Sequence, residues 1–138
     1  MAYSTRIDQY RKSSVSSASP LQLVVMLYDG SLRFMEAGKH AMLKKDVFQQ
    51  NENITKAQRI VTELLATLDM DKGGDVAENL SNLYVYTYNK LVEANIEDKP
   101  EYIDECIEIM RELRESWAEL EAKSRKIAEP LGETDSVA

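Results

Sequence analysis

The chain has 138 residues, 43% of them apolar and 30% charged, with a formal net charge of −7. Its length suits one globular domain with no room for a second, and a chain of this size buries roughly 70% of the surface its unfolded form exposes. The single cysteine, Cys106, excludes an internal disulfide and a cysteine-rich zinc site. No apolar stretch approaches the ~20 residues of a membrane span, and no early apolar run behind basic residues resembles a secretory signal, so a cytosolic protein without stable membrane insertion is expected.

The charge is uneven. Residues 1–45 carry 7 Lys/Arg against 3 Asp/Glu, a net +4; residues 46–94 carry 4 against 8, a net −4; residues 95–138 carry 6 against 13, a net −7. No Lys/Arg stripe forms on any predicted helix, which argues against nucleic acid as a partner. With only 5 Gly and 3 Pro, the chain favours long helices over strands.

Residues 1–17, "MAYSTRIDQYRKSSVSS", end in a serine-rich stretch and read as a mobile N-terminal segment. Tyr3, Ile7 and Tyr10 nonetheless fall on one side of a short helix, so the segment can dock as a cap. The first long helix opens with Ser19 as N-cap, Pro20 at its first position and Gln22 completing a capping box, and it runs to about Lys44. It carries two apolar faces. Leu21, Val24, Val25, Tyr28, Leu32 and Met35 gather on one side; Leu23, Leu27 and Phe34, with Gly30, gather on the other. Two readings of the second face stand at this point: burial between two neighbouring helices, or cover by a partner or by the N-terminal segment. Gly30 costs a helix ~1 kcal/mol against alanine and therefore hints at a close backbone approach.

A second helix is predicted from Asp46, with Gln49 three residues on and a stripe of Ile54, Ala57, Val61, Leu64, Leu65 and Leu68. The segment "DMDKGGD" (69–75) breaks the pattern: Gly73 and Gly74 are expected to end that helix and Asp75, with Glu78, to cap the third. The third helix places Val76, Leu80, Leu83, Tyr84, Thr87 and Leu91 on its core face. Asn79, Asn82, Tyr86 and Asn89 lie away from that face, a row of neutral hydrogen-bonding groups suited either to solvent or to a bound chain. "EDKP" (97–100) is the last break. The fourth helix shows a stripe from Ile103 through Cys106, Ile107, Met110, Leu113 and Trp117 to Leu120, and its acidic face reads as solvated surface. After Ala128 the pattern stops. The expected architecture is all-α: an antiparallel up-down four-helix bundle over 18–128, with a disordered tail at 129–138.

Catalysis and metal binding find no support. A di-iron bundle needs two Glu-x-x-His pairs, whereas the one histidine, His40, has Ala37 three residues before it. A calcium loop starting at Asp69 would have Leu80 where a bidentate glutamate is required. No cofactor is expected and no enzyme.

The stretches "ASPLQLVVMLYDGSLRF" (18–34) and "ITKAQRIVTELLATLDMDKGGDVAENLSNLYVYTYNKLVEAN" (54–95), with the region around Trp117, resemble the flagellar secretion chaperone family, FliS. The likeness covers most of the chain in order and ends near residue 124. It implies a cytosolic helical bundle that binds the C-terminal segment of flagellin, prevents premature polymerisation and keeps the client competent for type III export. It further implies that the client wraps the bundle, placing helices in apolar grooves, and that the chaperone's own N-terminal segment covers part of that surface when no client is bound. On this reading Ile7 and Tyr10 form the cover. Leu23, Leu27 and Phe34 are expected as apolar contacts, and Asn79, Asn82, Tyr86 and Asn89 as the polar row. A regulatory adaptor that binds another flagellar regulator or an export component is the alternative, and the chain is expected as a monomer or weak homodimer.

Overall fold

The computed structural model describes the backbone of residues 18–137 and the side chains of residues 18–127. The expected cap segment 1–17, with Ile7 and Tyr10, lies outside the described residues. Four helices follow one another: α1 (Pro20–Leu43), α2 (Val47–Ala66), α3 (Met70–Glu97) and α4 (Pro100–Val137). α1 and α3 each pack against both α2 and α4, so the helices form an antiparallel ring around one core. No helix among the described residues is long and apolar enough to cross a membrane.

The helix starts are set by short polar side chains. Ser19 Oγ accepts from Gln22 N at 3.1 Å while Ser19 N donates to Gln22 Oε1 at 2.8 Å, completing the expected capping box. Asp46 caps α2 through Gln49 N at 3.1 Å. The third start differs from expectation. α2 ends at Ala66 with Thr67 as its C-cap, and Asp69, not Asp75, caps α3 through Lys72 N at 3.0 Å. Gly73 N closes a first turn onto Asp69 O at 2.7 Å. Gly74 then takes φ 53°, ψ −130°, a conformation open to glycine, and kinks the helix before it resumes. The glycine pair therefore bends the start of α3 rather than ending α2. Asp98, at φ 55°, turns the chain before Pro100 begins α4. The α4 backbone stays helical past Ala128, where its sequence pattern stops, to Val137.

The core is built from the predicted stripes. Tyr28 and Met35 from α1, Ile54, Ala57, Val61 and Leu64 from α2, Tyr84 and Leu91 from α3, and Ile103, Cys106 and Met110 from α4 are all buried. Burial also pushes the Cys106 thiol up to about 12, so it stays protonated, and it donates to Thr87 O at 3.6 Å. Three stripe residues are exposed rather than buried. Val76 is 68% exposed, Leu83 37% and Leu120 49%. Val76 lies two residues after the Gly74 kink, and Leu120 lies on the 38-residue α4, which outlasts its packing neighbours of 24 and 28 residues. Leu83 sits one step around α3 from the buried Tyr84.

The second face of α1 packs on α2. A Cβ on Gly30 would stand 3.1 Å from Ile60 Cδ1, and one on Gly38 would stand 2.9 Å from Ile54 Cγ1, so both glycines permit the close crossing of these helices. The opposite flank of α1 faces α4 through ion pairs of Asp29 with Arg114 at 2.8 Å, Glu36 with Arg111 at 3.4 Å and Lys39 with Asp104 at 2.7 Å.

Two polar devices cross the bundle. Tyr28 and Tyr84 join hydroxyls across the diagonal between α1 and α3, both fully enclosed. At the other end, buried Gln50 donates to Asn95 Oδ1 at 3.0 Å and to Asp98 Oδ1 at 2.8 Å, which ties the start of α2 to the end of α3.

Candidate functional site

α3 needs only a narrow line of side chains for the core: Ala77, Tyr84, Thr87, Leu91 and Ala94. It carries far more apolar surface than that. Val76, Leu83, Val85, Tyr86 and Tyr88 are all exposed, between 37% and 68%. Burying a large apolar side chain is worth roughly 1.5–3 kcal/mol, so a run of five left in water along one helix marks a surface that gains by being covered.

The contacts between α3 and α4 fix the geometry of one side of this surface. The Tyr86 hydroxyl donates to the Glu105 carboxylate, and that bond raises its pKa. Thr87 O receives the Cys106 thiol, and Lys90 Nζ lies 4.1 Å from the Tyr102 ring. The helices run antiparallel, so the N-terminal half of α3 faces the later turns of α4. There Val76 and Leu83 are exposed, Leu80, Leu113 and Trp117 are half-buried against the core, and Leu120 is exposed. These residues form an apolar strip between the two helices.

The predicted polar row stands beside the strip. Asn79, Asn82, Tyr86 and Asn89 are all exposed on α3. Among the described residues the side chains of Asn79, Asn82 and Asn89 make no hydrogen bond within the protein, leaving their donors and acceptors available.

The three predicted apolar residues of α1 are in a different place. Leu23, Leu27 and Phe34 are half-buried on the flank that turns toward α2, with Leu27 and Phe34 packed against the core. Lys56 of α2 sits 5.5 Å and Arg33 5.6 Å from the Phe34 ring centre, a pair of cation–π contacts. These residues are not brought together with the asparagine row. Sequence reasoning placed Val76, Leu83 and Leu120 in the core and passed over Val85 and Tyr88. The available signal was the same as on α1: apolar residues on both sides of the Leu80–Tyr84–Leu91 line, more than one face can bury. Among the described residues no group of three or more His, Cys, Asp or Glu side chains could hold a metal ion.

The family model for the flagellar protein FliS matches residues 3–124. The flagellar secretion chaperone FliS of Vibrio cholerae is 36% identical over 118 residues, covering 83% of this chain and 87% of its own. The protein of the same name from Campylobacter jejuni is 37% identical over 113 residues, covering 82% and 88%. That from Salmonella typhimurium is 35% identical over 114 residues, covering 82% and 84%. A match of this extent, on a four-helix bundle whose third helix exposes an unused apolar strip, places the chain in the FliS family.

Proposed function

We propose that this chain is a cytosolic flagellar export chaperone that binds the C-terminal segment of flagellin, prevents its premature polymerisation and keeps it ready for type III secretion. The observation that carries this reading is the apolar strip along α3. A helix-in-groove client supplies apolar anchors at i, i+3/i+4 and i+7, and the strip from Val76 to Leu83, with Leu113 and Leu120 opposite, has the length and chemistry to receive them. Asn79, Asn82, Tyr86 and Asn89 hydrogen-bond the client's polar groups. The half-exposed edges of Leu23, Leu27 and Phe34 take a further part of a segment long enough to wrap the bundle. Such a client pays several kcal/mol of ordering on binding, which moderates affinity and permits release at the export step. The work is binding alone and uses no cofactor.

Residues 1–17 act as a competitive cover, with Ile7 and Tyr10 on the groove until client helices displace them. Deleting 1–17 is therefore expected to tighten client binding; unchanged or weaker binding in calorimetry means the segment is not a cover. The reading as a whole is tested by titrating the flagellin C-terminal segment into the full chain and into Leu83→Asp. Leu83 lies outside the buried core, and circular dichroism checks that the variant keeps its fold; binding that weakens at least about tenfold supports the groove, and a parent that binds no flagellin segment contradicts the chaperone reading.

A further inference from the structure

The strip between α3 and α4 has two unlike walls. On the α3 side the exposed polar groups next to Leu83 are the uncharged Asn79 and Asn82, with Asp75 beside Val76 at the start of that row. On the α4 side they are the exposed Glu112 and Glu119, with half-buried Glu105 before them, seven residues apart and so recurring on one flank of the helix. The bond from Tyr86 of α3 to Glu105 identifies that flank as the one beside the strip.

The arginines of α4 nearest this wall and Lys90 of α3 are engaged elsewhere, which leaves the exposed Lys123 at the wall's far end. Arg111 and Arg114 turn to the opposite flank of α4 and pair with Glu36 and Asp29 of α1 at 3.4 and 2.8 Å. Lys90 of α3 pairs with Glu93 at 3.2 Å and lies over the Tyr102 ring. Glu112 and Glu119 are exposed and have no ion-pair partner among the described residues; the row ends one turn on, at Lys123.

An apolar helix laid in the strip would bring its own flank against this carboxylate wall and strip water from it, so an acidic flank is repelled and a basic one is drawn in. The geometry points to a client segment that binds as an amphipathic helix with a basic flank against α4 and an uncharged polar flank against α3. This deepens the chaperone reading above and rests on it for the choice of site. The α4 wall is the more acidic of the two and so favours one rotation of the bound helix, since turning it over would leave Glu112 and Glu119 unpaired.

Two designed helical peptides with identical apolar anchors, one carrying Lys/Arg and the other Glu on the same flank, are titrated into the full chain. The flagellin C-terminal segment is titrated in parallel. The same three probes are used against the double variant Glu112→Lys/Glu119→Lys and against Leu83→Asp, with circular dichroism confirming each fold. The basic peptide is expected to bind the parent about tenfold more tightly than the acidic one at low salt, with the gap closing at high salt. The double variant reverses that preference and Leu83→Asp weakens both. Equal affinities, a preference unmoved by the double variant, or no binding of either peptide overturns the inference. Flagellin binding with no charge dependence overturns it while leaving the chaperone reading in place. Basic-peptide binding that reverses in the double variant, without flagellin binding, keeps the charge rule and removes flagellin as the client.

Discussion

Gly30 and Gly38 stand eight residues apart on α1 and show how little space separates two helices in this bundle. At Gly30 the obstacle to a Cβ is the terminal Cδ1 of Ile60 at 3.1 Å, a methyl that can swing aside. At Gly38 it is the Cγ1 methylene of Ile54 at 2.9 Å, next to the branch point of that side chain, with Ile54 N at 3.5 Å behind it. Gly30→Ala is therefore expected within about 0.5 kcal/mol of the parent, because ~1 kcal/mol of helix propensity offsets the tighter packing. Gly38→Ala is expected to destabilise by about 1 kcal/mol as overpacking outweighs the same gain. Urea unfolding of the two variants checks both. The diagonal tyrosine pair is the other residue-scale device. Tyr28→Phe leaves the Tyr84 hydroxyl enclosed without its partner and should cost about 1–3 kcal/mol, whereas removing both hydroxyls costs less than the two single losses together. Burial raises the pKa of both tyrosines above the ordinary value of 10.0, with their mutual bond adding to the rise for Tyr28. A raised folded-state pKa gives stability that is full below about pH 10 and is lost as pH climbs past it. Thermal melts of the parent should fall off above that pH more steeply than those of the double Phe variant.

At the scale of elements, what was legible in the sequence was local. The Ser19–Gln22 box and the Asp46 cap each need only residues three apart, and both formed as read. The start of α3 was not legible in the same way, because Asp69 and Asp75 are equally good caps. The choice depends on Gly74 accepting φ 53°, which lets one helical turn form before the bend. The second face of α1 shows a different boundary. Gly30 announced a close approach, but nothing local says whether the approaching element is a partner, the N-terminal segment or α2. Only the assembled bundle identifies α2. Periodicity also overreached on α3 and α4: it assigned Val76, Leu83 and Leu120 to the core because it counts faces without knowing how far the neighbouring helices extend. The asparagine row was visible as a pattern and lies exposed where expected; the apolar strip beside it was not foreseen. The Gln50 clasp was likewise invisible, its partners Asn95 and Asp98 being far away in sequence. Gln50→Glu would replace a donor with a carboxylate facing Asp98 Oδ1. It should cost about 2 kcal/mol, which urea unfolding of the variant beside the parent would read.

At the scale of the whole molecule, the same packing that builds the bundle prepares its surface. The α1–α4 contact draws Arg111 and Arg114 to one side of α4, and the other side is left acidic along the strip. α1 is held on both flanks, by glycine-permitted contact with α2 and by ion pairs with α4. α3 gives the core only a narrow line and keeps a broad apolar edge. A three-helix support presents one helix with uncovered apolar surface, which suits the binding role proposed above. The most direct measurement is calorimetric titration of the flagellin C-terminal segment into the full chain and into Leu83→Asp. Submicromolar 1:1 binding by the parent, weakened at least about tenfold in a variant with unchanged helicity, is the predicted result. A parent that is folded and binds no flagellin segment would contradict the account.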